Sequence, residues 1–253
     1  MHRRQLLKAF VAVSLCPICA SMGLAEEGHH WTYDGATGPE KWGGLDAADA
    51  PCATGDQQSP IDITGAISAR QPPLKISWGK RPDTIVNNGH TIQLNAAAGD
   101  TLHVGDRSYG LTQFHLHHPS EHRVDGKAFA MEAHFVHTDG NGGLAVIGVF
   151  IVPGKANAVF NKIVSTMPEE EGPPIPADPA INPNGLLPAQ RAYYHYEGSL
   201  TTPPCSQTVD WLVFAHHIEA AEADIARFAK LYPLNARPLQ KLDRRFILSS
   251  NPR

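Results

Sequence analysis

Histidine is the residue type best placed to do chemistry in this chain, and three histidines have the spacing of metal ligands. Gln113-Phe114-His115-Leu116-His117-His118-Pro119-Ser120-Glu121 is followed by Met131-Glu132-Ala133-His134. Side chains two apart on a strand share a face, so His115 and His117 can grip one ion. His134 lies 17 residues beyond His117, past the turn signal Val124-Asp125-Gly126-Lys127. A neighbouring antiparallel strand can bring it alongside. Three neutral imidazoles suit zinc and leave a fourth position for water, which is the catalytic arrangement. With 14 histidines in the chain, a His-x-His pair alone is weak ground, because such pairs also occur as surface decoration. The neighbours strengthen it. Glu132 precedes His134 by two and Gln113 precedes His115 by two, each on its ligand's face and able to fix a ring tautomer as metal-bound histidines require.

Strands must carry these side chains, and the sequence supplies them. Thr84-Ile85-Val86, Thr91-Ile92-Gln93-Leu94, Phe129 to His137, Leu144 to Val152 and Thr208 to Ala215 alternate or are β-branched. Asn87-Asn88-Gly89 and Val124-Asp125-Gly126-Lys127 read as tight turns. Helical patterns are few: residues 156–166, and 218–231 with an Ala-rich face. Residues 169–188 hold six prolines and read as a wrapping loop. The expected fold class is mainly β (α+β), a β-dominated domain with short peripheral helices.

The first 25 residues read as an export signal, with a basic start at Arg3-Arg4, an apolar stretch to Leu24, and small residues at Gly23 and Ala25. Arg-Arg-x-Leu-Leu-Lys resembles a twin-arginine address, while Cys16, Pro17 and Cys19 interrupt the stretch and argue against stable membrane insertion. Residues 26–253 then form a single domain, exported to the periplasm. The chain has 21 Lys+Arg against 25 Asp+Glu, and residues 1–25 hold three of the bases and none of the acids, so the remainder carries a formal charge of −7. Such an acidic chain is a poor partner for nucleic acid or an anionic membrane. Outside the signal only Cys52 and Cys205 remain. In an oxidising compartment a long-range disulfide is the natural reading; two free buried thiols are the alternative.

At this point the chain resembles the α-carbonic anhydrases, in a bacterial exported form. The resemblance rests on His-Leu-His-x-Pro-Ser-Glu, on Glu132-Ala133-His134, and on Gly198-Ser199-Leu200-Thr201-Thr202-Pro203-Pro204-Cys205. It extends to His30-Trp31-x-Tyr33, Gln58-Ser59-Pro60-Ile61-Asp62-Ile63, Asn87-Asn88-Gly89-His90 and Asn235-Ala236-Arg237-Pro238. It implies a large twisted, mostly antiparallel central sheet with zinc in a conical cleft, and reversible hydration of carbon dioxide. By position, His115, His117 and His134 would bind Zn2+, with Gln113 and Glu132 orienting two of them. Thr201 would orient the attacking oxygen and donate its hydroxyl to Glu121, which as a carboxylate only accepts. His90 would shuttle protons, with Tyr33, Asn88 and Gln93 on the polar side. Val136, Val146, Leu200, Thr202, Val209 and Trp211 would hold the substrate. The Cys52–Cys205 pairing agrees with bacterial members. His118 departs from the tryptophan of animal relatives and would face away from the metal. The partner implied is a small molecule, carbon dioxide or bicarbonate, and a homodimer is compatible with it. Competing readings are an esterase using the same zinc site, a non-catalytic binding module and a metal buffer. The first would keep every residue named, the second typically lacks a ligand histidine, and the third needs no Glu121–Thr201 pair.

Overall fold

Alternation decides this architecture. The structure, a computed structural model, describes residues 30–250; the signal expected over residues 1–25 lies outside the described residues. Three short strands, β1 (Asp62–Ile63), β2 (Ile67–Ser68) and β3 (Lys75–Ser77), precede β4 (Pro82–Asn87), β5 (Ile92–Ala96) and β6 (Thr101–Val104). The long β7 (Arg107–His117), the short β8 (Arg123–Val124), β9 (Met131–Thr138) and β10 (Leu144–Pro153) follow. β11 (Ile175–Pro176), β12 (Tyr193–Gly198), β13 (Val209–Phe214), β14 (Ile218–Ala220) and β15 (Leu248–Ser249) complete the strands. Helices are α1 (Pro51–Thr54), α2 (Ala158–Thr166) and α3 (Glu222–Leu231). Among the described residues, no helix is long and apolar enough to cross a membrane.

Thirteen strands form one sheet, ordered along its main path β11-β4-β5-β7-β9-β10-β13-β12-β15-β2. Most pairs are antiparallel, but β10 runs parallel to β13 and β14, and β15 parallel to β2, so the sheet is mixed. β10 can sit at this junction because Ala145 to Ile151 are buried on both faces, the continuous apolar run expected of a doubly covered strand.

The two faces of the central strands have different contents. Leu116, Phe114, Ala133, Phe135, Ile147 and Val149 point into the large core beneath α2 and α3, where Phe160, Ile163, Ile225 and Phe228 also lie. A fully buried side chain of the size of Phe135 contributes about 1.5–3 kcal/mol relative to exposure. The opposite face carries Gln113, His115, His117, Glu132, His134 and Val136. A β-bulge at Thr112 sets their alignment: the register shifts between Leu111 and Gln113, so His115 falls opposite His134. Without the extra residue it would oppose Ala133.

Local expectations were met with three corrections. The helix expected over 218–231 begins only at Glu222; Ile218–Ala220 is β14, whose alternating burial lets Ile218 and Ala220 pack while pairing with Ile151–Pro153. The helix expected from residue 156 begins at Ala158, because Asn157 caps it through Oδ1 to Val159 and Phe160 N–H. The proline-rich segment 169–188 is not wholly loop: it contains β11, paired with Ile85 and Thr84, and a 3-10 turn over Pro183–Leu186. The Asp125-Gly126 turn forms as a two-residue hairpin between Val124 and Lys127, both residues at positive φ. It closes an excursion in which β8 pairs with β1, rather than joining β7 directly to β9.

Candidate metal centre

Neighbouring strands lay the site out in rows. Gln93, His115, His134 and Gly148 are successive cross-strand partners, and Asn95, Gln113, Val136, Val146 and Trp211 form the next row. His117 pairs with Glu132 in a third. The bases expected to meet therefore do meet: His115, His117 and His134 each offer a ring nitrogen, all within 4.8 Å of one another.

Each ring has its other nitrogen close to a partner. His115 Nδ1 lies 2.8 Å from Gln113 Oε1. His117 Nδ1 lies 2.7 Å from the Asn235 carbonyl. His134 Nε2 lies 3.0 Å from Glu132 Oε1, an ion-pair contact not aligned as a hydrogen bond. His117 Nε2 is buried without a hydrogen-bond partner, an arrangement that costs stability unless something occupies that lone pair. This orphaned nitrogen, and three imidazoles converging at one point, fit a divalent metal of zinc type.

Electrostatics favour neutral rings at His115 and His117 but not at His134. Burial, reinforced by its two histidine neighbours, holds His115 well below the ordinary imidazole range, and burial lowers His117 also. Burial alone would lower His134, yet Glu132 and then Glu121 outweigh it. Burial opposes ionisation of Glu132, but His122 and His134 hold it well below the usual carboxylate range. Space for that carboxylate comes from Gly148, opposite His134: a Cβ there would come within 2.8 Å of Glu132 Oε1.

Thr201 and Glu121 are not hydrogen-bonded to each other in this structure. Glu121 Oε1 accepts from Arg237 N–H at 2.8 Å, and Oε2 has no hydrogen-bond partner. Oε2 turns toward the ligand rings, 3.7 Å from His117 Nε2 and 3.8 Å from His134 Nδ1. Thr201 is itself buried. His90 stacks face to face on Trp31 with centroids 3.6 Å apart. Tyr33 joins the same aromatic group, edge-on to Trp31 and Trp42; burial and then Glu121 push its phenol well up. Asn88 is occupied by the turn, its Oδ1 accepting from His90 and Thr91 N–H, and Gln93 donates to Asn95. Val136, Val146, Leu200, Val209 and Trp211 lie in one apolar cluster, with Trp211 edge-on to His134 at 4.8 Å. Thr202 is half-buried and its carbonyl accepts from Cys205 N–H. Cys52 and Cys205 form a disulfide, as expected. His118 bonds the Pro233 carbonyl, away from the ligand set.

Sequence reasoning missed His122. It is buried, its Nδ1 donates to Glu132 Oε1 at 2.8 Å, and its Nε2 lies 2.6 Å from the Tyr196 hydroxyl. Tyr196 donates to Ser59 Oγ, which also accepts from Ser199 N–H. This chain of polar contacts runs from His134 to the loop of Thr201. It had no periodic signature, since its members come from four separated segments.

The fold and donor set together describe a three-imidazole metal centre of catalytic type on one face of a mixed β-sheet. A family model for eukaryotic-type carbonic anhydrase matches residues 37–251. A carbonic anhydrase of Nostoc sp. is 39% identical over 99% of this chain and 98% of its own length. One from Neisseria gonorrhoeae is 39% identical over 91% and 92%. The α-carbonic anhydrase of Thermovibrio ammonificans, solved with the inhibitor sulfanilamide, superposes with a TM-score of 0.85 at 42% identity, covering 87% of this chain and 99% of that one. The chain belongs to the eukaryotic-type carbonic anhydrase family, and it is an enzyme of that family acting on a small molecule.

Proposed function

We propose that this enzyme catalyses the zinc-dependent reversible hydration of carbon dioxide to bicarbonate and a proton, as a periplasmic protein. The observation that carries the reading is the convergence of three ring nitrogens, each ring tethered from behind by a different acceptor. His115 Nε2, His117 Nε2 and His134 Nδ1 would hold the metal. Zinc bound there supplies Lewis acidity that brings the pKa of a coordinated water to about 7, this family being the standard example.

The protein's own groups do the rest. Val136, Val146, Leu200, Val209 and Trp211 offer an apolar wall that keeps water from an uncharged substrate. Glu121 Oε2, open as an acceptor and buried, is assigned the Thr201 hydroxyl in the working enzyme, which leaves the threonine lone pair to orient the attacking oxygen. Each hydration releases one proton, and His90, half-buried against Trp31, is the group assigned to carry it outward, since imidazole titrates near neutrality. The Cys52–Cys205 disulfide supports an oxidising compartment, and the export signal assigned to residues 1–25 agrees with it.

Stopped-flow carbon dioxide hydration on the zinc-loaded protein tests this. Fast hydration is expected, blocked by a sulfonamide and lost in H115A together with stoichiometric zinc. Tight zinc without hydration would overturn the assignment. For His90, H90A is expected to slow turnover in dilute buffer, with recovery on adding imidazole.

A further inference from the structure

We propose that Arg237 is a positioning residue, whose guanidinium sets the loop of Thr201 against the wall that carries Glu121. The inference rests on the roles assigned above to those two residues.

Arg237 is buried, with Nη1 donating to Gln58 Oε1 and to the Ser59 carbonyl, both at 2.8 Å, and Nη2 to the Cys52 carbonyl at 3.0 Å. Both of the first two acceptors continue to the loop. Gln58 uses the other end of its amide, Nε2, to donate to the Cys205 carbonyl at 3.0 Å. Ser59 donates its N–H to Ser199 Oγ at 2.9 Å and accepts from Ser199 N–H at 3.1 Å. One guanidinium is thus tied, through a single intervening residue each way, to both ends of the segment Ser199–Cys205 that contains Thr201. The same residue's backbone N–H donates to Glu121 Oε1. Two residues earlier, Asn235 presents its carbonyl to His117 Nδ1. Loop, carboxylate and ligand ring are all referenced to one short stretch of backbone.

Stability alone does not account for this device. A buried cation costs desolvation that an apolar residue of similar shape avoids, and Arg237 Nε has no hydrogen-bond partner. Burial lowers the Arg237 pKa to about 10, with Glu121 opposing, so the charge persists at neutral pH. The planar fork is what the geometry uses: three carbonyl-type acceptors, from Cys52 and from the adjacent Gln58 and Ser59, and the ring of Trp42 5.6 Å beneath. Lysine keeps the charge but lacks the fork.

The test compares R237K, R237Q and Q58M, the last removing the bridge from its far side, with T201A as reference. Readouts are kcat/KM for carbon dioxide well below the melting temperature, zinc content, and hydrogen exchange of the Leu200 and Cys205 amides. In both Arg237 variants kcat/KM is expected to fall roughly tenfold or more, as small misplacements of reacting groups do. Q58M should shift in the same direction. Zinc should stay stoichiometric, the buffer dependence of kcat should not change, and both loop amides should exchange faster. If R237Q does not fold, R237K and Q58M carry the test. Parent-like kcat/KM in R237K and Q58M, with T201A impaired, overturns the proposal. If T201A itself is unimpaired, the role of Thr201 is wrong, and loop exchange decides: unchanged protection in R237K overturns the positioning role.

Discussion

The two faces of β7 and β9 are built from alternate residues of the same strands, yet they follow opposite rules. Beneath the sheet, Phe114, Leu116, Ala133 and Phe135 are buried and apolar, and contribute through area alone. Above it, His117, Glu132 and His134 are equally buried but polar, and each needs a specific partner. An apolar face tolerates any filling of similar volume; a buried polar face is correct only when every group is matched. The site face therefore concentrates function, and the core face provides the rigidity that holds the three rings at one point.

Substitutions on either face should separate these contributions. The largest effect is expected for H117A, which should abolish hydration by at least about a thousandfold with loss of stoichiometric zinc. It should leave urea stability of the metal-free protein within about 1 kcal/mol, because an orphaned buried nitrogen is removed with the ring. F135A, on the other face of the strand, should lose about 3–5 kcal/mol of stability, with kcat/KM per folded molecule retained at low temperature. If F135A instead lost activity without losing stability, the division between faces would be wrong.

His137 sharpens the comparison from the core side. It is buried next to Trp78, with Nδ1 near the Ala145 carbonyl, and burial lowers its pKa to about 4. The unfolded imidazole titrates near 6.5, so between pH 6.5 and 4 the unfolded state takes up a proton that the folded state refuses. Stability from this residue is complete above about 6.5 and declines toward pH 4, by about 3 kcal/mol in all. Urea melts across that window should show the decline in the parent and a flatter profile in H137L; parallel profiles would assign the acid sensitivity elsewhere. The smallest effect is expected for E132Q: a weaker acceptor for His122 and His134 should reduce zinc affinity about 10–100-fold, measured by chelator competition, with the fold retained.

Much of this was legible beforehand because it is local. Period-two spacing places His115 with His117, and Glu132 with His134, on any strand. Apolar runs marked β4, β5, β9, β10 and β13, and positive-φ chemistry marked Asp125-Gly126. The segment 218–231 misled because Ala-rich sequence suits a helix equally well, and only the open edge of β10 made Ile218–Ala220 a strand.

What the sequence determined by itself was the donor inventory: three imidazoles, an amide and a carboxylate at fixed offsets, a pair of cysteines, and strands to carry them. What tertiary structure alone decided was registration and partnership. The bulge at Thr112 placed His115 opposite His134. The tether of His117 is the main-chain carbonyl of Asn235, a group every residue possesses and no side-chain pattern announces. His122 and Arg237 acquired their partners across up to 74 residues in one case and up to 185 in the other. Hydrogen bonds over such separations depend on where backbone already lies, so they become visible only once the sheet has formed.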